Sequence, residues 1–120
     1  MGYNFSNDKP IFLQLAEVIK NQIVSGKFLP CEKLPSVRDL AMSFGVNPNT
    51  VQKALQILED EGLIYTDRTN GKFVSENHDK ISVTKRQIIA QEINAFFDKM
   101  KSMGLTENEI IKMINERGSD

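Results

Sequence analysis

The feature that most constrains the fold is the segment from residue 34 to residue 55. Within it, Ala41 is followed four positions later by Gly45 and six positions after that by Val51. A small residue lets two helices approach closely, and a glycine accommodates the positive φ at which a helix commonly ends. The other apolar positions expected to face the shared core are Leu40, Phe44, Val46 and Leu55. This spacing predicts two short helices joined by a tight turn, which is the helix-turn-helix arrangement of many DNA-binding proteins.

Capping residues indicate where these two helices begin. Ser36 with Asp39 forms the S-x-x-D pattern of a capping box, so we expect the first helix to start after Ser36. Asn47 is a favourable cap for the second helix. Pro48 then occupies its first position, where the missing N–H leaves no hydrogen bond unmade.

The second of these helices opens with short polar side chains. Asn47, Asn49 and Thr50 are followed by Gln52 and Lys53. Asn49 and Gln52 are three residues apart and share a face, and their amides can pair with adenine. Thr50 and Lys53 are better placed for phosphates. These residues favour a recognition helix, with an ordinary capped helical hairpin as the alternative.

The flanking segments complete a recognisable architecture. A first helix is predicted from about 10 to 25, and the third helix from 48 to about 61. Beyond it, residues 63–67 and 72–75 have the composition of strands, and the pair Asn70–Gly71 between them favours a β-hairpin. Three helices followed by a hairpin make a winged helix-turn-helix, so the predicted fold is mostly α with a small β-hairpin.

The remainder of the chain predicts a short helical tail. Residues 76–80 are polar and are interpreted as a hinge, followed by a helix from about 82 to 103 and a final helix opened by a capping box at Thr106 and Glu109. The first tail helix has an apolar stripe made of Ile89, Ile93, Phe96, Phe97, Met100 and Met103. Two helices cannot bury that surface alone, so we predict a homodimer, with a ligand pocket lined by Phe96, Phe97 and Met100 as the alternative. The predicted domains are 1–76, which binds DNA, and 77–120, which dimerises.

Composition excludes several classes of protein. One cysteine, one histidine and no glycine-rich phosphate loop leave no visible catalytic, metal or cofactor site, so an enzyme is not expected. The composition favours a cytoplasmic protein with no membrane span. The net charge of −1 is unusual for a DNA-binding protein. Basic residues nevertheless cluster in sequence around the helix-turn-helix and the hairpin, namely Lys33, Arg38, Lys53, Arg68 and Lys72. The acidic residues Glu59, Asp60 and Glu61 fall at the far end of the third helix. A winged helix that contacts only proteins is the alternative function.

Residues 10–75 resemble the DNA-binding domain of the GntR family of bacterial transcription regulators. The resemblance rests on Pro10, residues 34–41, residues 45–51, Ala54, Leu55, Leu58, residues 62–64 and residues 71–74. The short two-helix tail is similar to that of the YtrA-type subfamily, which lacks a large effector-binding domain. Members of that subfamily are often repressors encoded beside ABC transporter genes. The resemblance therefore implies a homodimeric repressor that binds a pseudo-palindromic operator, with an unidentified small-molecule effector left open.

The resemblance also implies which residues contact DNA. Together with their neighbours, the matching positions give a predicted DNA-binding set of Ser36, Arg38, Asn47, Asn49, Thr50, Gln52, Lys53, Arg68, Asn70, Gly71 and Lys72. Many family members have arginine where this chain has Pro48 and Gln52. Proline cannot donate, and glutamine favours adenine where arginine favours guanine. The operator sequence is therefore expected to differ from those of other branches.

Overall fold

The computed structural model describes residues 3–118, which divide after Lys85 into an N-terminal unit and a smaller C-terminal unit. In chain order the elements are α1 (Ile11–Val24), α2 (Val37–Phe44), α3 (Pro48–Asp60), β1 (Ile64–Asp67), β2 (Gly71–Val74), α4 (His78–Ser102) and α5 (Glu107–Glu116). The mostly helical fold class with one small hairpin is confirmed.

The core of the N-terminal unit forms where α1 and α2 both pack against α3. Helical spacing places one apolar face of each helix inward, and the hairpin adds side chains from its base. The buried residues of this core are Leu15, Ala16, Ile19, Ile23, Leu34, Leu40, Ala41, Phe44, Val51, Ala54, Leu55, Leu58, Leu63, Ile64 and Val74. This core holds the helix-turn-helix in a fixed geometry and leaves the opposite face of α3 exposed.

The turn between α2 and α3 has the geometry that the sequence predicts. Gly45 ends α2 at φ 69°, in the left-handed region that residues with a side chain rarely adopt. The Ser36 hydroxyl accepts a hydrogen bond from the Asp39 N–H at 3.0 Å, and the Asn47 side-chain oxygen accepts one from the Asn49 N–H at 2.7 Å. Both predicted N-caps are therefore confirmed, whereas the reciprocal bond of the Ser36–Asp39 capping box, from the Ser36 N–H to the Asp39 carboxylate, is absent among the described residues.

The hairpin has the predicted strands but a shorter loop than expected. Strands β1 and β2 are antiparallel, with Ile64 opposite Val74 and Asp67 opposite Gly71, so Gly71 belongs to the strand and the loop is 68–70. The Asp67 carboxylate accepts hydrogen bonds from the N–H groups of Thr69 at 2.9 Å and Asn70 at 3.1 Å. These bonds lower the pKa of Asp67, which stabilises the charged form that organises the loop.

A segment before α2 also pairs with the hairpin. The Leu34 N–H donates to the Lys72 carbonyl at 2.8 Å, and the Val74 N–H donates to the Glu32 carbonyl at 2.9 Å. Lys33 forms a β-bridge with Phe73 between these bonds. Because this segment leads directly into α2, the start of α2 is tied to β2.

Helix α4 begins earlier than the sequence predicts. The predicted hinge at 76–80 and helix start near 82 are wrong, because α4 already begins at His78. The Asn77 side chain accepts from the Lys80 N–H at 3.0 Å and so caps the helix, and Ile81 packs against the N-terminal core. The compact N-terminal unit therefore extends to Lys85, past the predicted boundary at residue 76. The functional division between the two regions stays a prediction.

The C-terminal unit consists of the rest of α4 and α5. The predicted capping box is confirmed: the Thr106 N–H donates to the Glu109 carboxylate at 2.8 Å, and the Glu109 N–H donates to the Thr106 hydroxyl at 3.2 Å. Thr106 lowers the pKa of Glu109, first of all through its backbone N–H, which donates to the carboxylate. Within residues 3–118, no helix combines the length and apolar character that crossing a bilayer requires.

Candidate DNA-binding and dimerisation surfaces

The first turns of α3 present an exposed polar surface. Asn47, Asn49 and Gln52 are exposed, and Thr50 is half-buried at the edge of the core. The opposite side of α3, which faces the core, consists of the buried residues Val51, Ala54, Leu55 and Leu58. Amide groups at the positive end of a helix can donate to phosphates and pair with base edges. The structure thus brings together four of the residues predicted to contact DNA.

Lys53 lies beside this surface and has a partner within the chain. Its ammonium lies 5.5 Å from the centre of the Phe12 ring, within the range of a cation–π interaction. Phe12, on α1, is half-buried. These residues are far apart in the chain, so the sequence alone did not pair them. Phe12 therefore favours the observed position of the Lys53 side chain. A phosphate contact by Lys53 stays a prediction.

A groove of about 570 Å³ separates the first turn of α2 from the hairpin. Its lining includes five of the predicted DNA-binding residues, namely Ser36, Arg68, Asn70, Gly71 and Lys72. Arg38 is exposed in the first turn of α2 but does not line the groove. The structure therefore places the hairpin residues opposite the N-terminus of α2, and the exposed part of α3 belongs to the same compact unit.

One basic residue of the groove was missing from the predicted set. Lys33 lines the groove and is exposed, whereas Lys72 is half-buried and forms an ion pair with Glu59 at 3.1 Å. In the sequence, Lys33 stands just before the motif that starts α2, and this position alone does not place it near the hairpin. The β-bridge between Lys33 and Phe73 of β2 brings it there.

The acidic residues at the end of α3 are largely engaged within the chain. Glu61 forms an ion pair with Lys20 at 2.8 Å, Glu59 pairs with Lys72, and Asp60 accepts a hydrogen bond from Gln56 at 2.8 Å. These acidic groups lie at the C-terminal end of α3, opposite to the polar first turns, as the sequence predicts. The slightly negative net charge is therefore compatible with a recognition surface on the first turns of α3 that is less acidic than the C-terminal end of the helix.

The C-terminal unit has an extensive apolar surface. Ile93 is 51% exposed and Met103 is 63% exposed, and Ile89 and Phe96 are also exposed. Among residues 86–118 only Ile110 is buried. A helical pair with one buried residue has almost no core of its own. The predicted dimerisation stripe is thus accessible.

The alternative of a ligand pocket is only partly compatible with the geometry. Phe96 and Met100 line an apolar cleft of about 200 Å³ with Ile110 and its neighbours. Phe97 lines a different, more polar hollow together with Asp98 and Lys101. The three residues grouped by the sequence therefore do not form one pocket.

Comparisons with known proteins agree with this geometry. Residues 12–74 match the model of the bacterial regulatory proteins of the gntR family. The chain is 36% identical over 114 residues to the uncharacterized HTH-type transcriptional regulator YhcF of Bacillus subtilis, covering 95% of this chain and 94% of that protein. It is 39% identical over 94 residues to the HTH-type transcriptional repressor YtrA of the same organism, covering 73% of this chain and 72% of YtrA. Both relatives are named as HTH-type transcriptional regulators or repressors, and the match spans most of each.

Solved structures give the same result. A GntR family transcriptional regulator from Listeria monocytogenes superimposes with a TM-score of 0.87 at 35% identity, covering 93% of this chain and 98% of that chain. The DNA-binding domain of AraR in complex with operator ORE1 superimposes with a TM-score of 0.55 at 36% identity, covering 62% of this chain and 93% of that chain. With the winged helix-turn-helix, the family match and these likenesses in agreement, the chain belongs to the GntR family of bacterial transcriptional regulators.

Proposed function

We propose that this protein is a cytoplasmic homodimeric repressor that binds a pseudo-palindromic operator through its winged helix-turn-helix. The observation that most supports the proposal is the row of exposed amides on the first turns of α3. It stands in a domain that is 36% identical to a DNA-binding domain solved on its operator. Exposed amides are costly to place beside an apolar partner but pair well with base edges.

The proposed contacts divide into two kinds. Asn49 and Gln52 contact bases in the major groove, since they share one face of α3. Thr50 and Lys53 contact phosphates, which fixes the orientation of the helix without specifying sequence. Arg38, in the first turn of α2, contacts a phosphate or a guanine edge. The hairpin contacts lie around its loop, at Arg68, Asn70 and Gly71.

Dimerisation is proposed through the C-terminal unit. Its exposed apolar residues would be unfavourable in water as a permanent surface, and an identical unit offers a matching one. Two winged helices on one dimer would bind two half-sites, which explains how a protein with few positive charges could reach useful affinity.

Repression is proposed from likeness to named repressors. YtrA of Bacillus subtilis is a transcriptional repressor, and the chain matches it along most of both sequences. Control of a transporter operon is proposed from the subfamily resemblance. The genes beside the one that encodes this chain, and their expression in a deletion strain, test both points.

The substitution Gln52→Arg tests the assignment of base contacts. We expect it to shift the selected site toward guanine at one position in each half-site, because arginine pairs bidentately with guanine and glutamine with adenine. Binding-site selection from a random duplex library measures the change. Gln56→Arg is the matched control: Gln56 is exposed one turn further along α3 and bonds to Asp60, so its replacement should leave the selected sequence unchanged. The same selected site for the wild type and Gln52→Arg would remove Gln52 from the base contacts.

A further inference from the structure

Lys72 is held in a closed network at the junction of the hairpin and α3. Its ammonium donates to the Thr66 hydroxyl at 2.7 Å and to the Glu59 carboxylate at 3.1 Å. The Thr66 hydroxyl in turn donates to the same oxygen of Glu59 at 3.0 Å. Thr66 and Lys72 are opposite each other in the β1–β2 register. One residue from each strand and one from α3 therefore share three hydrogen bonds.

Lys72 would have to give up its hydrogen bonds to Glu59 and Thr66 in order to contact DNA. The side chains of Lys72 and Glu59 are 27% and 32% exposed, so the pair is partly shielded from solvent. Moving the ammonium to a phosphate would leave the partly shielded Glu59 carboxylate with the Thr66 hydroxyl as its donor and without its ion-pair partner, which is unfavourable. The contact instead fixes the hairpin relative to the last turn of α3.

Lys33 has the opposite environment. Its side chain is exposed, and within residues 3–118 no ion pair involves it. The bridge to Phe73 holds the backbone of Lys33. The N–H of the next residue, Leu34, donates to the Lys72 carbonyl in β2. The Lys33 stem runs over Gly71: a side-chain carbon built on Gly71 would lie 3.3 Å from the Lys33 Cε. A well-positioned backbone thus presents an exposed cation at the hairpin.

The charge of the groove makes this cation important. Asp39 and Asp67 also line the groove, and both would repel a phosphate. With Lys72 paired to Glu59, the positive charges outside ion pairs among the described lining residues are those of Lys33 and Arg68. Without Lys33 the two carboxylates would outnumber the remaining guanidinium.

From these contacts we infer that Lys33 contacts a DNA phosphate beside the hairpin, whereas Lys72 is a positioning residue that fixes the hairpin through Glu59. Lys72, which the resemblance predicts to contact DNA, thus acts on the hairpin instead. The inference rests on the proposed DNA-binding function, and it adds Lys33 to the predicted DNA-binding set.

The salt dependence of DNA binding distinguishes the two lysines. Full-length Lys33→Gln and Lys72→Gln are titrated over a range of KCl with a duplex that the wild-type protein selects from a random library. For Lys33→Gln we expect the slope of log affinity against log salt to become shallower by about 0.9 for each phosphate that the variant no longer neutralises. For Lys72→Gln we expect weaker binding at every salt concentration with an unchanged slope, since the same phosphates are still neutralised. Lys72→Arg, which can keep the pair with Glu59, should restore affinity.

Two further variants control the comparison. Lys27→Gln removes an exposed cation outside the groove and should change neither affinity nor slope. Should Lys72→Gln fail to fold, Glu59→Gln breaks the same ion pair, and its slope should not become shallower. A shallower slope for Lys72→Gln, or an unchanged slope for Lys33→Gln, would overturn the inference. A wild-type protein that selects no duplex at all would instead refute the proposed function.

Discussion

Replacing Arg38 with alanine is expected to remove most operator binding while leaving the fold intact. Arg38 is exposed in the first turn of α2, and no ion pair within residues 3–118 engages its guanidinium. Its removal should cost roughly 1–3 kcal/mol for each half-site, the typical range for a bidentate arginine contact to guanine. Because a symmetric dimer carries Arg38 in both subunits, the effect on the dimer should be correspondingly larger. A gel-shift or anisotropy titration measures it.

The fold of Arg38→Ala can be checked independently of DNA. Since the side chain is exposed and contributes nothing to the core, the thermal unfolding temperature should stay close to that of the wild type. Lys27→Ala removes an equally charged, exposed side chain outside the groove and is the matched control. Operator affinity unchanged by Arg38→Ala would exclude the docking of α2 that we propose.

Placing charges on the apolar stripe of α4 is expected to convert the dimer into monomers. The double variant Ile93→Lys with Phe96→Lys changes two exposed residues, so each monomer should still fold. At the interface of a dimer the same lysines would be buried without partners, which is strongly unfavourable. Affinity for a two-half-site operator should then fall by roughly 10²–10⁴-fold, the usual gain from linking two binding sites. Sedimentation equilibrium and titration with the operator measure the two effects.

The control for this prediction lies on the same helix. Gln91→Lys adds a positive charge at an exposed polar position and should leave the dimer and operator affinity unaltered. A chain truncated after Lys85 gives a second test of the dimer interface. The truncation keeps Ile81, because this residue packs against the N-terminal core. A dimer that persists in the double variant would move the interface away from the C-terminal unit.

The helix-turn-helix and the hairpin could be predicted because their determinants are local. Gly45 marks the turn, Ser36 and Asn47 cap the helices that follow them, and each acts on residues within one helical turn. The Thr106–Glu109 box is equally local. The start of α4 differs from the prediction because Asn77, which caps the helix, lies in a polar run whose composition is that of a linker.

Contacts between distant parts of the chain could not be predicted. Lys72 pairs with Glu59 and Lys53 lies over Phe12 only because the packing of α1, α3 and the hairpin brings them together. From sequence alone, each lysine was simply an available cation. Lys33 belongs to the basic cluster of the sequence but not to the predicted DNA-binding set for a related reason, since its position depends on the pairing of its segment with β2. Local patterns therefore specify the elements, and tertiary packing determines which charges face a partner.

Sequence-specific DNA binding by the full-length protein is tested most directly by competition. A duplex selected by the wild-type protein from a random library is titrated, and then competed with a scrambled duplex of equal length and composition. We expect the selected site to contain an inverted repeat. Its affinity should exceed that of the scrambled duplex by at least about 10³-fold, the low end for specific binding, and should weaken steeply as salt increases. Equal affinity for the two duplexes, or an interaction unaffected by salt, would contradict sequence-specific operator binding by this protein.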